Sequence, residues 1–230
     1  MNKYLKFFFI VFYFFPVKSL ALIEVDITRG NLNPLPIAVS PLSLDEESKK
    51  QFSKILNKKN IGLEISKVVE NNLKASGLFN PLNKDAFLQK PDIANLKPRF
   101  EDWALIKAQA LITGKVIYQD QKMRVEFRLW DVLAGKEMMA LAFTTVPSNW
   151  RRVGHIITDK VYKRLTGEKG YFDTRIIYVA EEGPKTKRIK KLAIMDQDGF
   201  NTKYLTLGNE LVLTPRFNPT NQMVTYLSYF

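Results

Sequence analysis

The sequence predicts a mixed α/β domain over residues 22–166, followed from residue 167 by short strands of the kind that build a blade-like sheet. Three observations carry that expectation. Lys122–Trp130 alternates strictly, Met123, Val125, Phe127 and Leu129 against Arg124, Glu126, Arg128 and Trp130, so it reads as a strand with one buried and one largely wet face. Two segments carry apolar residues at helical spacing: Ile65, Val68, Val69 and Leu73, and Trp150, Val153, Ile157, Val161 and Leu165. After Gly167 the helical period disappears, and Arg175–Ala180, Arg188–Met195, Tyr204–Leu207 and Met223–Tyr229 read as short strands divided by turns.

Met1–Lys6 carries Lys3 and Lys6 and no acid, and Phe7–Val17 is an apolar run of 11 residues. A bilayer needs ~20. With the small residues Ser19 and Ala21 behind it, the run reads as a secretory signal cleaved between Ala21 and Leu22, rather than as a buried apolar helix, which Phe-rich, acid-free sequence rarely forms. From Leu22 to Ile27, Ile23, Val25 and Ile27 alternate with Glu24 and Asp26, which suits a strand or an extended tail before the break at Gly30 and Asn31. Ile37–Val39 is a short strand, Ser43–Asn60 is compatible with helix or loop, and the helix around Val69 ends at Gly77. Phe79–Leu82 is extended, Gln89–Pro98 reads as loop, and Glu101–Lys107 offers about two helical turns around Trp103. Ala110–Tyr118 is a strand. Asp131–Gly135 turns the chain so that Lys136–Val146 returns antiparallel to Lys122–Trp130. Ser148 is placed to cap a helix running to about Leu165, and Asp196-Gln197-Asp198-Gly199 is a tight turn.

Of 230 residues, 46% are apolar and 25% charged, the balance of a globular chain. Cysteine is absent and His155 is the one histidine, which excludes disulfides, thiolate chemistry, cysteine-bound metals, a lipidated cysteine and any His-pair mechanism. Loss of Lys3, Lys6 and Lys18 with the signal lowers the net charge from +12 to +9. That charge favours anionic partners. Export argues against nucleic acid, and the densest cluster, Lys185, Lys187, Arg188, Lys190 and Lys191, lacks the aromatic residues for base stacking and reads as the solvated turn of a hairpin. No apolar run of ~18 residues follows the signal, so no stable membrane insertion is expected after cleavage.

No nucleophile elbow, Walker loop, dinucleotide fingerprint or His-Glu-x-x-His is present. His155 and Asp159 stand one helical turn apart, but no further imidazole or thiol completes a common transition-metal set, so His155 reads as structural or surface. A calcium reading of Asp196-x-Asp198 fails because Asn201 and Leu207 stand where an EF-hand needs Gly and Glu. No catalytic, cofactor-binding or metal-binding residue is assigned, and no cofactor is expected.

Eight segments, in order, resemble one family: Pro36-Ile37-Ala38-Val39; Val68-Val69 through Leu73 to Ser76-Gly77-Leu78-Phe79; Phe100-x-x-Trp103 with Ala110-Leu111-x-x-Gly114; Phe127-Arg128-Leu129-Trp130-Asp131; Arg151-Arg152-x-x-His155; Leu165-Thr166-Gly167-Glu168-x-Gly170; Asp196-x-Asp198-Gly199; and Pro215-Arg216-Phe217. They are similar to the TolB family of the Tol-Pal system. The resemblance implies a signal peptide over residues 1–21, an N-terminal α/β domain over 22–166, and a linker with the start of a β-propeller over 167–230. It further implies a monomeric, non-enzymatic periplasmic adaptor that links TolA of the inner membrane to the outer-membrane lipoprotein Pal, for envelope integrity and invagination at division. Leu22, Ile23, Glu24, Val25, Asp26 and Ile27 match the family's TolA-binding segment. Two departures stand out. Asn218-Pro219-Thr220-Asn221 replaces the repeat's Ser-Pro-Asp-Gly, and residues 168–230 are too few for a closed propeller, so the chain is expected to be a fragment or the product of a broken gene. Readings from other classes are an exported enzyme with its catalytic groups on further propeller blades, for which Asp159 with Glu168 is the most these residues offer, an exported basic domain that binds anionic envelope polymers, and a non-functional remnant.

Overall fold

The computed structural model describes residues 33–58, 60–221 and 223–229; the signal, the Ala21–Leu22 cleavage site and the Leu22–Ile27 segment lie outside the described residues. The expected mixed α/β architecture is present. Strand β1 (Leu35–Val39) runs parallel to both β3 (Phe79–Pro81) and β4 (Ala110–Gln119), and β2 (Ser43–Leu44) runs parallel to the far part of β4. Strands β4, β5 (Lys122–Asp131) and β6 (Lys136–Thr145) form an antiparallel meander, which gives the sheet order β3-β1-β4-β5-β6. The alternation of β5 is met in full on one side: Met123, Val125, Phe127 and Leu129 are all buried.

Helix α1 (Glu46–Leu56) starts where the Asp45 carboxylate accepts the Ser48 N–H at 2.7 Å. Helices α2 (Ile61–Ala75) and α5 (Trp150–Thr166) lie together over the buried face of the sheet. Their apolar stripes supply Ile65, Val69 and Leu73, and Val153, Ile157, Val161 and Leu165 to one core. The two helices cross closely at Gly154, where a Cβ would stand 2.9 Å from Val68 Cβ. A larger residue would force them apart.

The opposite face is wet only in part. Two short helices, α3 (Pro91–Leu96) and α4 (Phe100–Leu105), cover its β1–β4 end and enclose a second core of Trp103, Ala38, Leu111 and Val132. Trp130, expected on the wet face, packs against this core and donates from Nε1 to Thr113 Oγ1 at 2.9 Å. Three further expectations need correction. Gln89–Pro98 contains α3, because Pro91 sits in the first helical turn, where its missing N–H costs nothing. Ser148 does not cap α5; a 3₁₀ turn at Pro147–Asn149 leads into the helix, and Asn149 Nδ2 donates to Thr145 Oγ1 instead. Of Tyr204–Leu207 only Tyr204 lies in a strand, Lys203–Tyr204, while Leu211–Phe217, unassigned from sequence, is a strand despite Pro215.

Beyond α5 the chain forms a second unit. Strands β7 (Arg175–Glu182), β8 (Ile189–Asp196) and β9 (Lys203–Tyr204) make an antiparallel sheet, and β10 (Leu211–Phe217) pairs with β11 (Val224–Tyr229) and packs against β7 and β8. Pro215 is tolerated because the register shifts between Leu213 and Arg216, with Thr214 at φ +46°, so the ladder loses no donor there. The basic cluster straddles the β7–β8 hairpin. Lys190 and Arg188 pair with Glu181, and Lys191 with Glu182, so part of its charge is satisfied across the strands.

Candidate functional site

Three of the motif segments meet at the seam between the two units. Helix α5 presents Arg151, His155 and Asp159 at intervals of four, one above another on a single face. The linker after Gly167 and the β8–β9 turn come back against that face.

Asp159 holds the linker. Its carboxylate accepts the Phe172 N–H at 2.7 Å and the Asp173 N–H at 3.1 Å. The chain reaches it because residue 170 is glycine: a Cβ there would stand 2.4 Å from Asp159 Oδ1. Phe172 is then fully buried, edge-on to Tyr162 at 5.6 Å, and the partial burial of Tyr162 itself raises its phenol above the ordinary range. Arg152 clasps Asp173 in a bidentate bond of 3.0–3.2 Å, which holds the guanidinium all the more firmly protonated.

Arg151 holds the turn. Its Nε lies 3.3 Å from Asp196 Oδ2 and its Nη2 2.5 Å from Asp198 Oδ2, with all three side chains four-fifths or more buried. The guanidinium also lies over the Phe200 ring at 4.8 Å. Between the two carboxylates the turn is closed by Gly199 N–H donating to Asp196 O at 3.0 Å, as expected from sequence. Gln197, at its apex, donates from its backbone to Thr174 O and from Nε2 to Asn72 Oδ1 on α2, both at 3.2 Å. The turn therefore touches the linker and both long helices.

His155 sits behind these ions and is 2% exposed. Its Nδ1 faces Asn72 Nδ2 at 2.9 Å, and its Nε2 points toward Asp196 and Asp198 without a hydrogen-bond partner. It does not bond Asp159, which the linker occupies. A polar cleft of about 210 Å³ opens beside the cluster, lined by Asn149, Arg152, Asp173, Arg175, Asn201 and Lys203 among others. His155, Asp196 and Asp198 offer three ligand atoms within 4.8 Å of one another, a spacing that suits a cation; the cation against the two carboxylates is the Arg151 guanidinium. The chemistry of this arrangement is that of a charged clasp.

Sequence reasoning assigned Asp196-Gly199 as a turn and His155 as structural or surface without joining them, and it missed Asn72, Asp173 and Gln197; His155 is buried. Asn72 left one sign: it interrupts the apolar stripe of α2 beside Leu73 and is buried. The Leu22–Ile27 segment, lying outside the described residues, is not placed relative to this seam.

The TolB amino-terminal domain family matches residues 23–138, and the TolB beta propeller domain family matches residues 162–230. The Tol-Pal system protein TolB of Pelagibacter ubique (strain HTCC1062) is 82% identical over 226 residues, covering 98% of this chain and 51% of the relative. The crystal structure of TolB from Acinetobacter baumannii superposes with a TM-score of 0.69 at 23% identity, over 90% of this chain and 47% of that one, a likeness of fold. The chain thus spans about half the length of the curated relative it matches. With a mixed α/β unit and the opening strands of a propeller in that order, the chain belongs to the TolB family.

Proposed function

We propose that this chain is part of a periplasmic, non-enzymatic adaptor of the Tol-Pal system that links TolA to Pal and so supports outer-membrane integrity and invagination during division. One observation carries the reading: a relative 82% identical across nearly the whole chain is a Tol-Pal system protein. Export follows from the basic, then apolar, N-terminus, with cleavage between Ala21 and Leu22. The boundary between the two domains falls at residues 166–167 in this proposal.

Leu22–Ile27 is the TolA-recognition segment. Its alternation lets main-chain bonds to a partner's sheet edge supply affinity while Ile23, Val25 and Ile27 fill pockets, and Glu24 and Asp26 favour a basic partner. The competing role for the same residues is an added strand on the chain's own sheet, whose outermost strands among the described residues are β3 and β6. Deleting residues 22–27 from the full-length protein separates the two. The adaptor reading expects TolA affinity to fall at least tenfold; unchanged affinity rejects it.

The reading of a basic domain for anionic polymers rests on the net charge. It expects salt-sensitive retention on envelope polymer without protein partners. Pairing of Arg188, Lys190 and Lys191 with Glu181 and Glu182 weakens it, because the densest cluster is partly spent within the hairpin.

A further inference from the structure

His155 is a buried ring with one nitrogen bonded and the other not. Asn72 Oδ1 accepts from Gln197 Nε2, so Asn72 Nδ2 faces the ring; Nδ1 is the acceptor, and the neutral ring, its tautomer assigned from this network, carries its proton on Nε2. That N–H aims between Asp196 Oδ2 at 3.7 Å and Asp198 Oδ2 at 3.9 Å, beyond hydrogen-bond length of both. A buried donor is thus left unpaired next to two carboxylates that share one guanidinium.

A second proton resolves this. The charged ring is drawn to both carboxylates, and its new Nδ1–H requires an acceptor. A half-turn of the Asn72 amide presents Oδ1 to the ring; Thr158 Oγ1, which accepts from Asn72 Nδ2 at 3.3 Å and donates to Gly154 O, turns its hydroxyl to donate to Oδ1, and a matching half-turn of Gln197 preserves the bond between the two amides. We propose that His155 is a proton-operated latch between the units, its protonation binding α2 and α5 of the first unit to the β8–β9 turn of the second.

The charges around the ring favour this. From α5, Arg151 opposes a charged ring, while Asp159, one turn on, is tied to the linker amides. From the β8–β9 turn, Asp196 and Asp198 attract it. Across the cleft stand Arg152 with Asp173, and Arg175 and Lys203 at the exposed rim. From α2 the facing group is the uncharged Asn72. The seated state gains partners for the protonated ring, so the latch is closed when the ring holds its second proton and released when the ring loses it. A metal on the same three ligands is the poorer occupant. It requires a bare Nε2 and a proton on Nδ1, where the Asn72 amide presents a donor, and it must displace Arg151.

Because His155 is the one histidine in the sequence, its ring resonance is unambiguous. The experiment follows that resonance, the Asn72 and Gln197 side-chain amides, and the exchange of the Gln197 backbone N–H corrected for intrinsic rate, from pH 8.5 to 5 in EDTA. The latch predicts one shared midpoint and about tenfold greater protection of Gln197 in acid. In D196N/D198N the increase shrinks below twofold. Should that variant not fold, the co-titration in the unaltered protein decides. A ring that titrates while amides and protection stay unchanged, a ring that does not titrate, or protection that follows added Zn²⁺ at pH 8 instead of protons overturns the proposal.

Discussion

Helix α5 has two faces, and they bind the molecule by different physics. Val153, Ile157, Val161 and Leu165 are buried against the sheet and α2, where attraction is non-directional and proportional to area. Arg151, His155 and Asp159, on another face of the same helix, engage the turn and linker of the second unit atom to atom. An apolar face tolerates repacking at similar volume. A polar row does not, since removing one partner strands a charge away from water. The stability of the first unit and the seating of the second are therefore separable properties of one helix.

Substitutions along each face sharpen that separation. Ile157→Ala, at a fully buried site, is expected to cost about 3 kcal/mol, read as a lower denaturant midpoint of the first unit by tryptophan fluorescence. Arg151→Ala should cost about 2 kcal/mol by loss of two charge-assisted bonds, with the loss confined to the seating of the second unit. Adding Asp196→Asn and Asp198→Asn to it should restore part of the loss, because the stranded carboxylates go too; an additive triple variant breaks the argument. Asp159→Ala removes the acceptor of two linker amides and should cost about 1.5 kcal/mol, visible as faster exchange at Phe172.

Remote from both faces, Asp45 serves as a control. Its bond from the Ser48 N–H holds the carboxyl below the usual range, so its contribution is present above the unfolded value and lost as pH falls through the folded one. Asp45→Ala should cost about 1 kcal/mol near neutral pH, less in strong acid, and leave the seam unaffected. Smallest is Arg152→Ala. Its side chain is 58% exposed, and an exposed pair with Asp173 is worth under about 0.5 kcal/mol, within the scatter of a melting experiment.

Much of the fold was legible because its elements are local patterns. The alternation of β5 and the stripe of α5 name their own buried residues, and Gly167 ends α5 in the left-handed conformation expected of a helix stop. Local rules failed where tertiary context decided. Gln89–Pro98 was read as loop, whereas Pro91 opens a helix there, and Leu211–Phe217 was not read as a strand, whereas Pro215 rides on a bulge in one. Trp130 alternates onto the polar face, yet α3 and α4 bring a second core to it. The seam was the least legible part. Gln197 and Asn72 are 125 residues apart, and no periodicity links a turn to a helix face at that distance. The motif residues were visible one by one; what joins Arg151, His155, Asp196 and Asp198 is the fold that carries the turn back onto α5.

The most direct test of the seam as a clasp is native-state hydrogen exchange at the Phe172 and Asp173 amides, compared with Val125 in the middle of β5. The clasp predicts that both linker amides are protected, more weakly than Val125 but far above an exposed loop, and that Asp159→Ala abolishes their protection while leaving Val125 unchanged. Exchange of Phe172 and Asp173 at the rate of an unstructured chain in the unaltered protein contradicts it.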